Sequence, residues 1–172
     1  RVVVAAGSWT PLLTRELGWA PPIRPIRRTL LALPAGERKL FHTVMARRYY
    51  YWQLENGPVA GGGSLDDVGF ETGVPEATVA DIRAELDRHF PALAAAPTDV
   101  AWSGFRPWCA DSRPAIGAVP GSPNFFVGAG HFRKGVMLAP ATGKVLADLV
   151  AGHVPEVDLA PFDPARFARQ AA

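Results

Sequence analysis

One cysteine, Cys109, stands in a chain of 172 residues. That excludes an internal disulfide and a cysteine-built zinc cluster, and it fits a reducing, cytoplasmic setting. No stretch approaches the roughly 20 consecutive apolar residues that a membrane-spanning helix needs. Nothing at the start reads as a signal peptide. Long runs of one charge are missing too. The 18 Lys+Arg and 16 Asp+Glu are interspersed and leave a net charge of +2, which argues against a nucleic-acid surface. There is no internal repeat and no low-complexity tract.

What is present is ordinary globular composition, 48% hydrophobic and 20% charged. A chain of this length buries enough apolar surface for a real core. It begins abruptly with "RVVVAAGSWTPLL". Arg1 to Ala6 reads as a buried strand, Gly7 and Ser8 as a turn, and Pro11 to Leu17 as a short helix capped by Thr10 or Ser8. A uniformly apolar strand needs neighbours on both sides, so the chain is expected to be a piece of something larger.

Further along, "PPIRPIRRTLLAL" ends in a short apolar strand. The run Tyr49-Tyr50-Tyr51-Trp52 is strongly β-prone. With Asn56-Gly57 as the turn, Arg47 to Gly63 reads as a hairpin whose second strand runs into glycines. Thr78, Ile82, Leu86 and Phe90 make the stripe of an amphipathic helix, which Pro91 stops. "TDVAWSGFRPW" is a strand closed at Pro107. "RPAIGAV" and "NFFVGAG" are two strands around Pro120-Gly121-Ser122-Pro123. A last helix ends at Gly152, and the Pro-rich tail after it is expected to be loose.

The stretch "GAGHFRKGVMLAPATGKVLADL" carries the chemistry. Pro140 has no N–H and sets the start of the regular helix near Gly135 to Ala139. The free amides there follow the glycine-rich turn Gly128-Ala129-Gly130, with His131, Arg133 and Lys134 between. A helix start with about +0.5 of a charge beside such a turn suits an anion or a polarised carbonyl. Close helix–sheet packing would use the same glycines. Gly135, Ala139, Gly143 and Ala147, four apart, form a ridge that lets the helix approach a sheet or a flat ligand.

Trp102, Gly104, Arg106, Pro107, Asp111, Pro114, Ile116, Gly117, Gly130, His131, Phe132, Arg133 and Gly135, in this order and spacing, resemble the C-terminal half of the FAD-dependent glycine oxidase and D-amino acid oxidase family. The likeness runs to about Gly152. It implies an α/β (α+β) fold: the end of an FAD-binding domain (1–20), an antiparallel or mixed-sheet substrate domain with flanking helices (21–107), a return to the FAD-binding domain with the final helix (108–152), and the tail (153–172). The family's G-x-G-x-x-G turn, which cradles the FAD pyrophosphate, has no counterpart here, since Gly61-Gly62-Gly63-Ser64 lies in a hairpin. The implied partner is therefore an N-terminal flavin-binding half, in the same protein or a second chain. A homo-oligomer is compatible with this.

By the same resemblance, Arg106 binds the carboxylate of an amino acid or secondary amine, Arg133 lies near it, and Tyr50 is the substrate-binding tyrosine, with Tyr49 and Tyr51 one register slip away. Gly7, Ser8, Gly130, His131, Gly135, Val136, Met137 and Leu138 are the implied FAD contacts, with His131 either lining the flavin or simply packing. The implied reaction is hydride transfer from the amine carbon to a non-covalent FAD, with oxygen as final acceptor. The alternatives are a D-amino acid dehydrogenase with a quinone as acceptor and a non-catalytic carboxylate-binding domain. The chain departs from the family at Arg28-Thr29, where Gly-Gln or Gly-Glu is usual, and at Gln53-Leu54, where Pro-Arg is usual.

Overall fold

The computed structural model describes residues 1–35, 37, 40–53 and 57–170. Asn56 of the anticipated hairpin turn and Leu54 lie outside the described residues. In chain order the elements are β1 (Val2–Val4), α1 (Thr10–Thr14), β2 (Ile23–Leu33), β3 (Val44–Ala46), β4 (Tyr49–Gln53), β5 (Val59–Gly62), α2 (Glu76–His89), β6 (Val100–Cys109), β7 (Ala115–Val119), β8 (Ser122–Ala129) and α3 (Gly135–Ala151), joined by short 3₁₀ turns. They form two compact units, one of residues 1–25 and 106–172, the other of residues 26–105. The chain passes from one to the other within β2 and at Arg106 of β6.

The unit of residues 26–105 is organised by a sheet of order β3-β4-β5-β2-β6. Strand alternation sorts the aromatic run. Tyr49 and Tyr51 are 1% and 0% exposed and point into the core, whereas Tyr50 lies on the other face. The core side receives Ile82 and Leu86 of α2, packed with Leu31, Leu33 and Val59. These are the two central members of the stripe seen in the sequence. The Tyr51 hydroxyl donates to the Ile82 carbonyl at 3.1 Å, and burial pushes its pKa well up. Asp81 of α2 bonds both the Tyr49 hydroxyl and Arg48, and Arg47 reaches Glu85 at 2.7 Å.

The glycines that end β5 allow close backbone approach. At Gly62, φ is +137°, and an added Cβ would stand 2.6 Å from the Thr29 carbonyl oxygen and 2.9 Å from the Leu30 Cα. Neither neighbour is the end of a flexible side chain. Gly62→Ala is therefore expected to destabilise the chain by about 2–4 kcal/mol. The check is a lower denaturant midpoint at unchanged slope.

The unit of residues 1–25 and 106–172 has a sheet of order β1-β8-β7, with β1 parallel and β7 antiparallel to β8. β1 is shorter than the strand read from the sequence, and it is not buried: Val2 and Val3 are 48% and 43% exposed. α1 begins after Trp9 with no side-chain cap, so neither Thr10 nor Ser8 caps it. α3 packs through Val145 and Leu146 against Ile116 and Phe126. Gly128 lets it approach, because a Cβ there would meet Leu146 Cδ1 at 2.7 Å. The ridge anticipated at Ala139, Gly143 and Ala147 is exposed instead, and nothing lies within 4 Å of a Cβ placed on Gly143.

Two further expectations are corrected. β6 does not close at Pro107 but runs on to Cys109. Proline is tolerated because β6 lies at the edge of its sheet, where no ladder donor is needed. The segment after α3 is not loose. It forms 3₁₀ turns at Ala160–Phe162 and Pro164–Gln170, and Phe167 is buried with Trp19, Ile23, Cys109 and Val127. Arg166 fixes it by bonding Asp111 at 2.7 Å and the carbonyls of Arg113 and Pro114 at 3.0 and 3.1 Å. A proline-rich composition hides this, because the ordering comes from one arginine and one phenylalanine reaching back across the chain.

Candidate functional site

Two parallel strands, β1 and β8, end side by side, and each runs into a glycine turn. Val4 pairs with Val127, so the turn at Gly7-Ser8 emerges beside the turn at Gly130-His131. The carboxyl ends of adjacent parallel strands are the general ligand position of such sheets. Gly7 has φ +55° and Gly130 φ +86°. A Cβ on Gly130 would stand 3.1 Å from that of Cys109, so glycine is required there for packing as well as for conformation. Ser8 is buried at 2%, and among the described residues its hydroxyl makes no hydrogen bond.

The segment Arg106-Pro107-Trp108 joins this corner. Trp108 and His131 form an antiparallel bridge, and the Phe132 N–H donates to the Pro107 carbonyl at 2.9 Å. A Cβ on Gly7 would lie 4.0 Å from Pro107 Cγ. The turn after β1, the end of β6 and the turn after β8 therefore converge, and the segments carrying Arg106 and Arg133 run alongside one another. Phe132 turns the chain with φ +52°. Arg133 is exposed, its guanidinium 5.3 Å from the Phe132 ring centroid.

α3 starts where these segments meet. Leu138 is the first residue whose N–H closes a helical bond, to the Lys134 carbonyl at 2.9 Å. The open amides of the first turn are thus those of Gly135, Val136 and Met137. The Leu138 N–H is used within the helix. Val136 and Met137 are 94% and 72% exposed, an apolar surface at a charged helix start. His131 is half-buried, and its Nε2 lies 3.0 Å from Thr142 Oγ1. Burial lowers its pKa.

Tyr50 belongs to the other unit. It pairs across the sheet with Met45 and Gly62, and the Arg28 guanidinium lies 5.5 Å from its ring centroid. Its two neighbours, Tyr49 and Tyr51, are committed to the core. The structure thus gathers Gly7, Ser8, Arg106, Gly130, His131, Arg133 and Gly135 to Met137 in one unit. Sequence reasoning missed the Pro107–Phe132 bond, which has no side-chain signal at all. It also missed the Arg28–Tyr50 contact, which the departure at Arg28 could have suggested.

A glycine turn at the ends of parallel strands, an open helix start and arginines on adjoining segments define the ligand corner of a nucleotide-cofactor α/β unit. The chain belongs to the DAO family of FAD dependent oxidoreductases, whose profile matches residues 1–149. It is 32% identical to the glycine oxidase of Pseudomonas aeruginosa, with 96% of this chain and 45% of the relative aligned. It is 33% identical to the D-amino acid dehydrogenase of Xanthobacter autotrophicus, over 98% and 41% of the two chains. The crystal structure of glycine oxidase from Geobacillus kaustophilus superposes with a TM-score of 0.90 at 30% identity, covering 96% of this chain and 45% of that one. The chain therefore spans less than half the length of these relatives, and its mixed α/β fold is theirs. Among the described residues no helix is long and apolar enough to cross a membrane.

Proposed function

We propose that this chain is the substrate-binding and flavin-contacting portion of an enzyme that oxidises an amino acid or small secondary amine to its imine. The observation that carries the reading is the convergence of the Gly7 turn, the Arg106 segment and the His131–Arg133 turn on the open amides of α3. FAD fits this corner. Gly135, Val136 and Met137 offer unused donors, Val136 and Met137 offer an uncovered apolar surface, and the Ser8 hydroxyl lacks a partner.

Bound FAD supplies a two-electron acceptor for the hydride of the amine carbon. The chain's own part is to bind and to position. The Arg106 guanidinium meets the substrate carboxylate with two charge-assisted bonds, and its place on β6, followed by Pro107, holds it on a rigid element. Arg133 adds a second positive charge. The open amides of α3 would hold an edge of the flavin ring and would favour negative charge there. No protein base is needed, because the neutral amine supplies its own electron pair. The FAD is held non-covalently in this reading. The chain's sole cysteine, Cys109, is fully buried, and burial pushes its thiol up to about 11, which makes it a poor nucleophile.

The test is anaerobic bleaching of the flavin-loaded full-length protein by glycine, sarcosine, proline and D-amino acids. Bleaching with release of the imine or its hydrolysis product supports the reading, and a protein that takes up no flavin removes it. Gly135→Val probes the helix start separately. A Cβ at Gly135 would meet only His131 Cβ, at 3.6 Å, so the chain itself has room for it. The expected outcome is FAD affinity reduced by about tenfold or more, measured by flavin fluorescence titration, with little change in the apoprotein's melting temperature. A branched side chain at the helix start would keep a planar ring from the amides, and the dipole effect fades beyond the first turn.

A further inference from the structure

The turn that joins β6 to β7 is held by one side chain from the far end of the chain. Arg166 donates from Nε to Asp111 Oδ2 at 2.7 Å and from Nη2 to Asp111 Oδ1 at 3.3 Å. The same Nη2 reaches the carbonyls of Arg113 and Pro114 at 3.0 and 3.1 Å. Nη1 donates to the Asp163 carbonyl at 3.0 Å, and the guanidinium lies 4.1 Å from the Phe167 ring centroid. Its side chain is 18% exposed, so these contacts are largely shielded from water. The turn needs such a hold. Ser112 takes φ +60° without being glycine, a strained conformation that persists only where the surroundings over-determine it. Within the turn, Asp111 Oδ1 also accepts the Arg113 N–H at 3.1 Å, and the Cys109 carbonyl accepts the Ser112 N–H at 2.8 Å.

Both legs of this turn flank the point where β8 leaves its sheet for α3. On one leg, Cys109 is fully buried, and a Cβ on Gly130 would stand 3.1 Å from its own. On the other leg, Ala115 pairs with Ala129. Just before Cys109 come the Trp108–His131 bridge and the Pro107 carbonyl that accepts the Phe132 N–H. Arg106 immediately precedes Pro107. The segment of the carboxylate arginine and the start of α3 therefore both rest on a turn that Arg166 clamps. Resting on the amine oxidation proposed above, we propose that Arg166 is a positioning residue of that reaction. Acting through Asp111 and the β6–β7 turn, it fixes the spacing between Arg106, which takes the substrate carboxylate, and the helix start that meets the flavin. An amine held by its carboxylate but shifted from the ring loses rate while keeping its affinity, and a misplacement of about 1 Å by a distant change costs up to roughly a hundredfold. A side chain that merely anchored the C-terminal segment would change the melting temperature and leave the folded protein's rate alone.

The experiment compares Arg166→Ala, Arg166→Lys and Asp111→Asn with the unaltered flavin-loaded full-length protein, each well below its melting temperature. Anaerobic stopped-flow absorbance, with the best reductant among glycine, sarcosine, proline and D-alanine, gives the limiting reduction rate and the half-saturating concentration. Hydrogen exchange read by mass spectrometry reports on the backbone without any amine. In Arg166→Ala the limiting rate is expected to fall at least roughly tenfold while half-saturation stays within about threefold. Exchange at residues 129–134 should quicken by about tenfold or more, with residues 122–127 of β8 unchanged. Arg166→Lys keeps the charge but not the fork and should fall between the two proteins. Asp111→Asn removes the charge pair in a chain that keeps Arg166 and Phe167, so it carries the same test if the alanine variant does not fold. The proposal is overturned if the folded variants are reduced at the unaltered rate, if half-saturation rises as much as the rate falls, or if exchange quickens through β7 and β8 alike. In each of those cases amine reduction by the unaltered protein still stands. If no amine reduces the unaltered protein, the parent reading falls, and unchanged exchange at residues 129–134 would separately show that Arg166 does not hold this corner.

Discussion

Replacing Arg106 by alanine in the flavin-loaded full-length protein is expected to raise KM for the amino acid by roughly 30- to 5,000-fold. FAD content should stay the same. The magnitude is that of truncating one partner of a buried charge pair, about 2–5 kcal/mol, at 1.36 kcal/mol per tenfold. The split between substrate and cofactor follows from position. Arg106 lies on β6, whereas the open amides belong to the first turn of α3. The end of β6 and the turn before α3 are joined by the Pro107 carbonyl with the Phe132 N–H and by the Trp108–His131 bridge, backbone links that alanine at 106 leaves in place. Arg106→Lys restores the charge but not the planar fork, so it should recover only part of the loss. A merely structural role for Arg106 would instead lower stability and flavin content together with kcat. Substrate titrations and the flavin-to-protein absorbance ratio of the three proteins decide between these outcomes.

The departures at Arg28 and Thr29 change what lies beside the face of Tyr50. Arg28 is 4% exposed, and a Cβ on Gly63 would fall 1.9 Å from its Nη2. Gly63, just after β5, thus leaves room for the large side chain of Arg28 on β2, where the family usually has glycine. The bulk that the family's glycine leaves open is filled here, beside the face of Tyr50. Substrate range is therefore expected to differ from that of the glycine oxidases the chain resembles.

Much of this was legible in the residues. The stripe of α2, the glycine that ends α3 and the tight turn between β7 and β8 depend on short-range periodicity and on backbone conformations that a few residue types dictate. The arginines and the helix-start glycines were legible because their chemistry is tied to residue type. What stayed hidden depends on distant neighbours. The tail reads as disordered until Arg166 meets Asp111 and Phe167 meets Trp19 and Ile23. The small-residue ridge of α3 reads as a face for a sheet or a flat ligand, yet among the described residues nothing lies within 4 Å of a Cβ placed on Gly143. β6 continues through Pro107 because its place at the sheet edge, a property of topology, removes the usual objection to proline.

The 172-residue chain by itself, given excess FAD, is expected not to retain stoichiometric flavin and not to oxidise glycine, sarcosine or D-amino acids. The corner described above supplies donors for the ring edge and arginines for a carboxylate. It supplies no glycine-rich turn of the G-x-G-x-x-G kind, which is what holds a dinucleotide pyrophosphate at a helix start. Two surfaces mark where further polypeptide would fit. β1 is hydrogen-bonded in its sheet to β8 alone among the described residues, with Val2 and Val3 exposed on a strand of parallel type. Such strands are ordinarily covered on both faces, and an open edge invites pairing with another chain. The exposed face of α3 at Val136, Met137 and Gly143 is the second surface. The isolated chain should therefore also associate with itself, visible as concentration-dependent mass by light scattering. A supplied N-terminal half should suppress that association and restore flavin binding together. Tight flavin and turnover in the isolated chain, followed both by peroxide and by reduction of an artificial dye, would show that the pyrophosphate has a site within these residues. In that case the open edge of β1 would be a native surface and not a join.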